Sequence, residues 1–286
     1  MMARGAGVAT GFGGLVTEDD RTAPARGLSI LFLTYNRSDL LKVAVDTIRP
    51  AAAQLKVPSE IVISDDASAP PHRQAISAIG ADQVLWGSAN AGLSHNHNKG
   101  IRGCRYAYIL SLQDDWEFVG DAGTLAAAMA ILDSDAEIGV VNLMPPTLPI
   151  PRSERRLGDG TAYTVFENDG LPRKRGSGHR PYTDRPHIKR RRFAADIGDY
   201  DEASPMTEAE LDFQRRVACQ SRWKVAHLHG PTPFVHLGAE RTFNPAHHRA
   251  QRLERQYAIP VIGPAYRLVR NGARSVRSVV QRLLGR

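Results

Sequence analysis

Short apolar segments alternate with helical segments between residues 27 and 145, and this alternation restricts the fold more than any other feature of the sequence. The segment Leu28–Thr34 (LSILFLT) has the uninterrupted apolar character of a strand buried on both faces. Further strands are predicted at Glu60–Ser64, Gln83–Trp86, Tyr106–Leu112 and Gly139–Leu143. Helical segments separate them, and the first, Ser38–Ile48, is expected to end at Pro50. This order predicts an α/β fold with a mostly parallel sheet flanked by helices and ligands at the carboxyl ends of the strands.

Four clusters of polar residues each follow a predicted strand. They are Thr34-Tyr35-Asn36-Arg37, Asp65-Asp66-Ala67-Ser68, Asn90-Ala91-Gly92 with Asn98-Lys99-Gly100, and Gln113-Asp114-Asp115-Trp116. One such cluster alone is typical of a turn or a helix cap. Together, at the carboxyl edge of a parallel sheet, they indicate a binding site.

The order of these motifs resembles that of the GT-A glycosyltransferases of family 2: TYNR, DDAS, N-x-G-L with a later N-x-G, then an apolar strand and QDDW. The resemblance covers residues 27–119 well and extends more loosely to residue 238. It implies a Rossmann-like GT-A fold that holds a nucleotide-sugar donor. His97 stands where family members often have arginine next to the diphosphate. The implied donor-binding residues are Thr34, Tyr35, Asn36, Arg37, Asp65, Asp66, Asn90, Gly92 and Asn98.

The QDDW cluster corresponds to the metal-binding D-x-D motif of that family in altered form. In an extended strand residues two apart point to the same side, so Gln113 and Asp115 are expected to share a face. The resemblance makes Asp115 a ligand of Mn²⁺ or Mg²⁺ and puts Gln113 at the first acid, where its amide can bind a hydroxyl of the donor. Asp114 takes this donor-side role if the strand has already turned. The cation would stabilise the charge that develops on a departing nucleoside diphosphate.

A second acidic motif opens a predicted helix at Thr207–Ala218 and resembles the family's E-D-x-x-L-x-x-R-L. The resemblance makes Glu210 the base that takes the proton of the acceptor hydroxyl, with Glu208 as the second choice, and Ala209 replaces the family's first acid. Thr207 and Glu210 are also spaced as a capping box, which is a purely structural alternative. His236 follows where some relatives supply a further metal ligand; the alternative is a structural histidine in a strand.

Residues 145–200 are rich in Pro, Arg and Gly, and we expect a loop-rich region there. The run Arg190-Arg191-Arg192 is either a site for an anionic acceptor or a solvated basic loop. The sequence thus divides into a flexible leader (1–26), a nucleotide-sugar-binding half (27–145), an acceptor-binding half (146–250) and a basic tail (251–286).

The net charge of +7 lies in the tail, which has seven Arg and no acid from Arg255 onward, while the rest of the chain balances to zero. Its apolar residues recur at intervals of three and four and predict a basic amphipathic helix. Such a helix suits an anionic membrane surface. Docking on the protein's own body or on a coiled-coil partner are the alternatives. A neutral body without a basic face argues against nucleic acid as a partner. The two cysteines and the lack of a signal sequence predict a cytoplasmic protein, peripheral at most to the inner face of the membrane.

These features favour a metal-dependent, inverting glycosyltransferase whose acceptor is a glycan, a lipid-linked molecule or a small molecule. The enzyme would act in the synthesis of an envelope glycan or of a glycosylated metabolite. The alternative is a non-catalytic module that binds a nucleotide-sugar or a glycan and is tethered by the tail. The replacements at Gln113 and Ala209 are the main support for that alternative.

Overall fold

The computed structural model describes residues 24–145, 152–166, 181–219 and 222–238. Nearly all of this part belongs to a compact unit that ends at Leu237. The predicted tail lies outside the described residues, as does the leader up to residue 23. The strands are β1 (Leu28–Thr34), β2 (Ser59–Asp65), β3 (Gln83–Trp86), β4 (Tyr108–Gln113), β5 (Trp116–Phe118), β6 (Ile138–Asn142), β7 (Arg152–Arg156), β8 (Ala162–Phe166), β9 (His187–Arg190), β10 (Lys224–Leu228) and β11 (Phe234–His236). The helices are α1 (Ser38–Ala53), α2 (Pro70–Ser77), α3 (Leu93–Gly103), α4 (Ala122–Ser134), α5 (Arg191–Ile197) and α6 (Met206–Cys219).

The central sheet has nine strands in the order β3-β2-β1-β4-β9-β6-β10-β8-β7. The pairings of β1 with β2 and β4, of β2 with β3, and of β6 with β10 are parallel. Strands β9 and β8 run against their neighbours, so seven of the nine strands share one direction. The predicted mostly parallel α/β sheet is therefore confirmed, with β9 inserted between β4 and β6.

Alternate residues of the sheet face two separate apolar layers. Ile30 and Phe32 of β1 pack in the core that also contains residues of α1, α2 and α4. Leu31 and Leu33 point to the other face, where α3 packs, and α5 and α6 cover β6 and β10 on a core of their own. All of β1 is buried, which explains its uninterrupted apolar sequence.

Helix α1 does not end at Pro50 as predicted but continues to Ala53. Proline has no backbone N–H, so the turn at Pro50 lacks one hydrogen bond. Ala51 and Ala52 follow it, are strong helix formers and are each only 6% exposed, and their burial keeps the helix intact. The sequence analysis also missed α4, whose N-terminus is capped by the carboxylate of Asp121.

The expectation of a loop-rich region over residues 145–200 is wrong for its described parts, which contain β7, β8, β9 and α5. The basic run belongs to β9 and α5, where the Arg190 guanidinium donates to the carbonyl of Ile138 at 2.9 Å. The guanidinium of Arg191 donates to the carbonyl of Cys104. Arg190 and Arg191 therefore bind backbone carbonyls and do not belong to a solvated loop. None of the described helices has the length and apolar character needed to cross a membrane.

Candidate active site

The carboxylates of Asp65 and Asp66, at the end of β2, make different hydrogen bonds. Both oxygens of Asp66 accept backbone N–H groups, from Ala91 at 3.0 Å and from Gly92 at 2.9 Å. Asp66 therefore fixes the loop that leads into α3. Asp65 uses Oδ2 to accept the N–H of Ser68 at 2.9 Å, whereas its enclosed Oδ1 has no partner among the described residues. Of the two carboxylates, only Asp65 has an oxygen without a hydrogen-bond partner among the described residues.

Asn36 joins the loops that follow β1 and β2. Its N–H donates to the Ser68 hydroxyl at 2.8 Å and its Oδ1 accepts the N–H of Ala69 at 2.7 Å. The backbone of Asn36 has a φ of 54°, in the left-handed region that asparagine tolerates better than most residues. Asn36, predicted to touch the donor, thus positions the two loops that would enclose it. Tyr35 lies in the same loop after β1.

Gly87 is a part of this region that the sequence analysis missed. Its N–H donates to the carbonyl of Asp65 at 2.8 Å. A Cβ at this position would lie 2.7 Å from the backbone nitrogen of Ala67, so no larger residue fits without displacing the loop. Gly92, at the start of α3, has a φ of 89°, and Asn90 accepts its N–H at 3.2 Å.

Asn98, expected near the diphosphate, connects α3 to the segment before α6. Its amide donates to the carbonyl of Tyr200 at 2.9 Å and to Glu202 at 2.8 Å, and its oxygen accepts the N–H of Tyr200 at 2.9 Å. The residue is completely buried. Asn98 therefore anchors the segment before α6 to α3. The neighbouring Lys99 donates to the carbonyl of Asp65 at 2.6 Å.

Asp114 and Asp115, here called the acid pair, lie in the turn between β4 and β5. Strand β4 ends at Gln113, so the expectation that Gln113 and Asp115 share the face of one extended strand is wrong. The chain has already turned, the case in which Asp114 was expected to take the donor-side role. The pair is held by one guanidinium: Nη1 of Arg37 lies 3.0 Å from Asp114 Oδ1 and 2.8 Å from Asp115 Oδ2. The hydroxyl of Thr34 also donates to Asp114, at 2.8 Å.

Two residues expected in the nucleoside pocket, Thr34 and Arg37, thus contact the acid pair. The pKa values of the two carboxylates are also shifted in opposite directions. Burial raises the pKa of Asp114 to about 7, although the Arg37 charge opposes this. Burial would raise the pKa of Asp115 as well, but His236 and Arg37 outweigh it and the pKa falls below its ordinary value. Asp115 is therefore the better metal ligand of the two.

His236 reaches the acid pair because β11 pairs with β5 in antiparallel register. The N–H of Leu237 donates to the carbonyl of Asp115 at 2.8 Å, and Nε2 of His236 lies 3.3 Å from Asp115 Oδ2. The enclosed Oδ1 of Asp115 has no partner in the described chain. Within those residues no group of three or more His, Cys, Asp and Glu side chains is arranged to hold a metal by itself. Asp115 and His236 fit a cation that takes its remaining ligands from phosphate and water, as Mg²⁺ commonly does.

Glu210 lies in the first turns of α6 and is half-buried. Its Oε1 accepts the amide of Gln214 at 3.1 Å and the backbone N–H of Asp184 at 3.4 Å. Burial, and next the negative charge of Asp184, raise the pKa of Glu210 to about 7. A carboxylate with a pKa near neutrality is suited to general base catalysis. Glu208 is exposed, while Ala209 is completely buried in the core under α6.

A small pocket with room for about one water-sized molecule lies near both acidic regions. On one side it is bounded by the end of β4 with Gln113, which directly precedes the acid pair, and on the other by Asp184, which contacts Glu210. The sequence analysis missed Asp184 because it stands in a segment without periodicity. The pocket is lined by Leu33, Leu93, His97, Ser111, Leu112, Gln113, Asp184 and Met206.

No protein-family model matches the sequence, and a search of curated proteins finds no similar sequence. Solved structures do match. The mannosyltransferase PcManGT from Pyrobaculum calidifontis, in complex with GDP-Man and Mn²⁺, has a TM-score of 0.54 at 16% identity over 90% of this chain and 67% of that chain. GalNAc-T7 with UDP, GalNAc and Mn²⁺ has a TM-score of 0.51 at 16% identity, over 73% and 43%. TarS from S. aureus has a TM-score of 0.50 at 14% identity, over 82% and 44%.

The matched region spans less than half of the GalNAc-T7 and TarS chains. At these identities the likeness is one of fold. The chain has the GT-A fold of these glycosyltransferases, as its sequence motifs led us to expect.

Proposed function

We propose that this protein is a metal-dependent glycosyltransferase that moves a sugar from a nucleotide-sugar to an acceptor hydroxyl with inversion at the anomeric carbon. The observation that carries the proposal is the contact of Asp115 with His236 at the end of β4, together with the raised pKa of Glu210 in α6, in a GT-A fold. A displacement of this kind needs a cation beside the leaving group and a base beside the attacking hydroxyl. Asp115 with His236 is the candidate site for the cation, and Glu210 is the candidate base.

The nucleoside would bind at the end of β2, where Asp65 has one free carboxylate oxygen. An ionised carboxylate only accepts hydrogen bonds, so it favours a base with a ring N–H at its polar edge. Uracil and guanine have such a group, whereas cytosine and adenine have an acceptor nitrogen at the equivalent position. The proposed donor is therefore a uridine or guanosine diphosphate sugar. The solved structures of GalNAc-T7 and PcManGT contain UDP and GDP-Man.

Asp115 and His236 would hold Mn²⁺ or Mg²⁺ next to the diphosphate. A bound cation of this kind neutralises charge on the departing diphosphate. Arg37 contributes a fixed positive charge at the same place and keeps the two carboxylates of the acid pair together. Asp114, held by Thr34 and Arg37, would take the donor-side role.

Glu210 would take the proton of the acceptor hydroxyl as that oxygen attacks the sugar. Its pKa of about 7 leaves a large ionised fraction at neutral pH and makes it basic enough to accept the proton. Direct attack needs no enzyme nucleophile and inverts the anomeric centre. Glu208 is exposed to solvent and is the less suitable base.

The acceptor would be a glycan, a lipid-linked molecule or a small molecule, and the protein would act in the cytoplasm, where the tail brings it to the inner face of the membrane. The basic amphipathic pattern of residues 265–286 supports this location. Sedimentation with vesicles that contain anionic lipid tests it. The intact chain should pellet with them at low salt, and a chain ending before Ala265 should stay in solution.

A thermal-shift panel tests the proposed function. UDP, GDP, CDP and ADP are added with and without Mn²⁺ to the wild type and to Asp115→Ala. A ligand at about 100 times its Kd adds roughly 2.7 kcal/mol of stability, which such an assay detects. We expect a shift with UDP or GDP that needs both Mn²⁺ and Asp115. A wild type that no nucleotide stabilises contradicts the proposal, and nucleotide binding without sugar transfer to any acceptor favours a non-catalytic binding module.

A further inference from the structure

Buried polar atoms without partners surround the small pocket near Glu210. Oδ2 of Asp184, Oγ of Ser111 and Nδ1 of His97 are enclosed, belong to residues that line the pocket, and have no hydrogen-bond partner in the described chain. Ser111 comes from β4, His97 from α3, and Asp184 from the segment before β9. Buried polar atoms in proteins are nearly always hydrogen-bonded, because an unpaired one is costly. Three such atoms around one space indicate a polar occupant.

The size and the chemistry of the pocket both fit a water molecule. The pocket has room for about one molecule of that size, and a buried water typically makes about three hydrogen bonds. A water has two donor and two acceptor positions. It can donate to the Asp184 carboxylate and accept from the Ser111 hydroxyl. It can also donate to or accept from His97, whichever tautomer that ring has.

A cation of similar size fits less well than a water. The completely buried Lys189 ammonium already lies within electrostatic range of Asp184 and lowers the pKa of that carboxyl. Burial, and next the charge of Lys189, hold the pKa of His97 well below its usual value, so this ring is neutral. A further cation would be repelled by Lys189, whereas a water adds no charge.

Asp184 connects the pocket to the proposed base. Its backbone N–H donates to Oε1 of Glu210 at 3.4 Å. Its side-chain Oδ1 accepts the hydroxyl of Tyr200, which is also hydrogen-bonded to the hydroxyl of Tyr182 at 2.6 Å. Burial raises the pKa of Asp184, while both tyrosine hydroxyls and the Lys189 ammonium lower it. Oδ2 is thus the one oxygen of this carboxylate for which the described chain supplies no hydrogen bond.

We propose that the pocket binds one water molecule that bridges Asp184, Ser111 and His97 and so holds the Asp184 carboxylate in place, in its ionised form, beside Glu210. Ser111 and His97 are then positioning residues, which act on the base through the water and Asp184. The water site stands on the pocket alone, whereas its role in sugar transfer rests on the proposed function. A hydrogen bond donated to a carboxylate favours its charged form, and that charge raises the pKa of Glu210.

A high-resolution crystal structure of the wild type tests the water site directly. We expect one water within about 2.5–3.2 Å of Asp184 Oδ2, Ser111 Oγ and His97 Nδ1. In Ser111→Val one methyl group replaces the hydroxyl and a second occupies the space, so the water should be absent. An empty pocket in the wild type, an ion or a larger molecule there, or direct hydrogen bonds among the three atoms overturns the proposal.

The second experiment follows the ionisation of Glu210 and needs no turnover. The carboxyl ¹³C signal of Glu210, assigned by its loss in Glu210→Gln, is titrated in the wild type, Ser111→Val, Ser111→Ala and Ser153→Val. Without the water Asp184 is less readily ionised and repels Glu210 less, so the midpoint should fall by roughly half a pH unit or more in Ser111→Val. It should fall by less in Ser111→Ala, where a water can stay with two partners. Circular dichroism shows whether each variant is folded, and Ser111→Ala carries the comparison if Ser111→Val is not.

Ser153→Val is the matched control and should leave the midpoint unchanged. Its hydroxyl is also enclosed and unpartnered within the described chain, but Ser153 lies on β7 at the edge of the sheet and does not line the pocket. A midpoint that is equal in all four proteins, with the water present in the wild type, overturns the positioning role of Ser111.

The water site and the proposed function can fail separately. In an active enzyme the pH midpoint of kcat should move together with the Glu210 signal. A midpoint of the Glu210 signal that falls in Ser111→Val, in a protein whose wild type transfers sugar from no nucleotide-sugar, overturns the proposed function. That result leaves the water and its link to Glu210 intact.

Discussion

The imidazole Nε2 of His236 lies 3.3 Å from Oδ2 of Asp115. The contact exists because β11 pairs with β5 and brings the histidine next to Trp116, with its ring centroid 4.7 Å from that of Trp116. Asp115 is the second residue after β4 and directly precedes β5. A short two-stranded sheet therefore joins the carboxyl edge of the main sheet to the end of the described chain. This arrangement gives Asp115 a partner that can bind a cation together with it.

Asp115→Ala should abolish metal-dependent nucleotide binding. Changes in groups that merely orient a metal ligand cost 10–100-fold in metal affinity, so loss of the ligand itself should cost at least about 100-fold. Calorimetric titration of UDP and GDP in Mn²⁺ measures the effect. Glu117→Ala removes a nearby acid of β5 and serves as control. Unchanged, metal-dependent affinity in Asp115→Ala would exclude Asp115 as a ligand.

Glu210→Gln should leave donor binding near normal and slow sugar transfer by about 100-fold or more, because the amide keeps the shape of the side chain but accepts no proton. The matched control is Glu208→Gln, which alters an exposed carboxylate in the same turn. The measurement is kcat with a radiolabelled nucleotide-sugar at saturation. If Glu208→Gln is the slow variant and Glu210→Gln is fully active, the two roles are exchanged.

The rate of transfer should rise with pH and level off above a midpoint near 7. Burial and then Asp184 raise the pKa of Glu210 to about 7, and only the ionised form is a base, so activity is lost as the pH falls through that value. Asp184→Asn removes the repulsive charge but not the burial, so the midpoint of kcat should move to lower pH. Profiles recorded at saturating donor measure the shift. A midpoint that stays in place would mean that Asp184 does not act on the ionisation of Glu210.

The first half of the fold follows from local sequence signals. Strand β1 is predicted at its observed bounds because its burial on both faces leaves an uninterrupted apolar run. The polar clusters were placed at the correct edge because the carboxyl ends of parallel strands coincide. The orientation of the acid pair was harder to predict. Side chains alternate between the two faces only while a strand continues, and β4 ends at Gln113.

The second half depends on contacts that no local pattern encodes. Strand β9 (HIKR) is short and basic, and it is stable because it lies between β4 and β6 and because Arg190 binds backbone carbonyls. Asp184 precedes it in a segment without periodicity. The burial that alters the pKa of Asp184 and Lys189 comes from residues distant in the sequence, so nothing near either residue indicates it.

Asn98→Ala should destabilise the protein by about 2–4 kcal/mol, because the buried amide makes three hydrogen bonds at about 0.5–1.5 kcal/mol each to the segment before α6. Urea denaturation followed by circular dichroism measures the free energy of unfolding. Asn90→Ala, at an exposed position, should change it by less than about 0.5 kcal/mol. A stable Asn98→Ala protein with weak nucleotide binding would instead support direct contact of Asn98 with the donor.

Substitution of the two neighbouring carboxylates at the end of β2 should have different effects. The change at Asp66 should lower stability, and the change at Asp65 should alter base selectivity. Asp66→Ala removes both acceptors of the Ala91 and Gly92 N–H groups, and we expect a loss of about 1–3 kcal/mol of stability. Asp65→Asn keeps an oxygen for Ser68 but presents an amide N–H where Oδ1 faced the ligand. Its loss of stability should be smaller than that of Asp66→Ala, because the hydrogen bond from Ser68 is kept.

The informative measurement for Asp65→Asn is base selectivity. The wild type should prefer UDP over CDP, or GDP over ADP, since its carboxylate accepts a ring N–H of uracil or guanine. An asparagine at this position donates as well as accepts, so the preference should fall by about 10-fold, the effect of about one hydrogen bond. Calorimetry with the four nucleotides in Mn²⁺ measures the ratio of affinities. An unchanged ratio, with Asp66→Ala showing the altered selectivity instead, would assign recognition of the base to Asp66 and leave Asp65 a purely structural role.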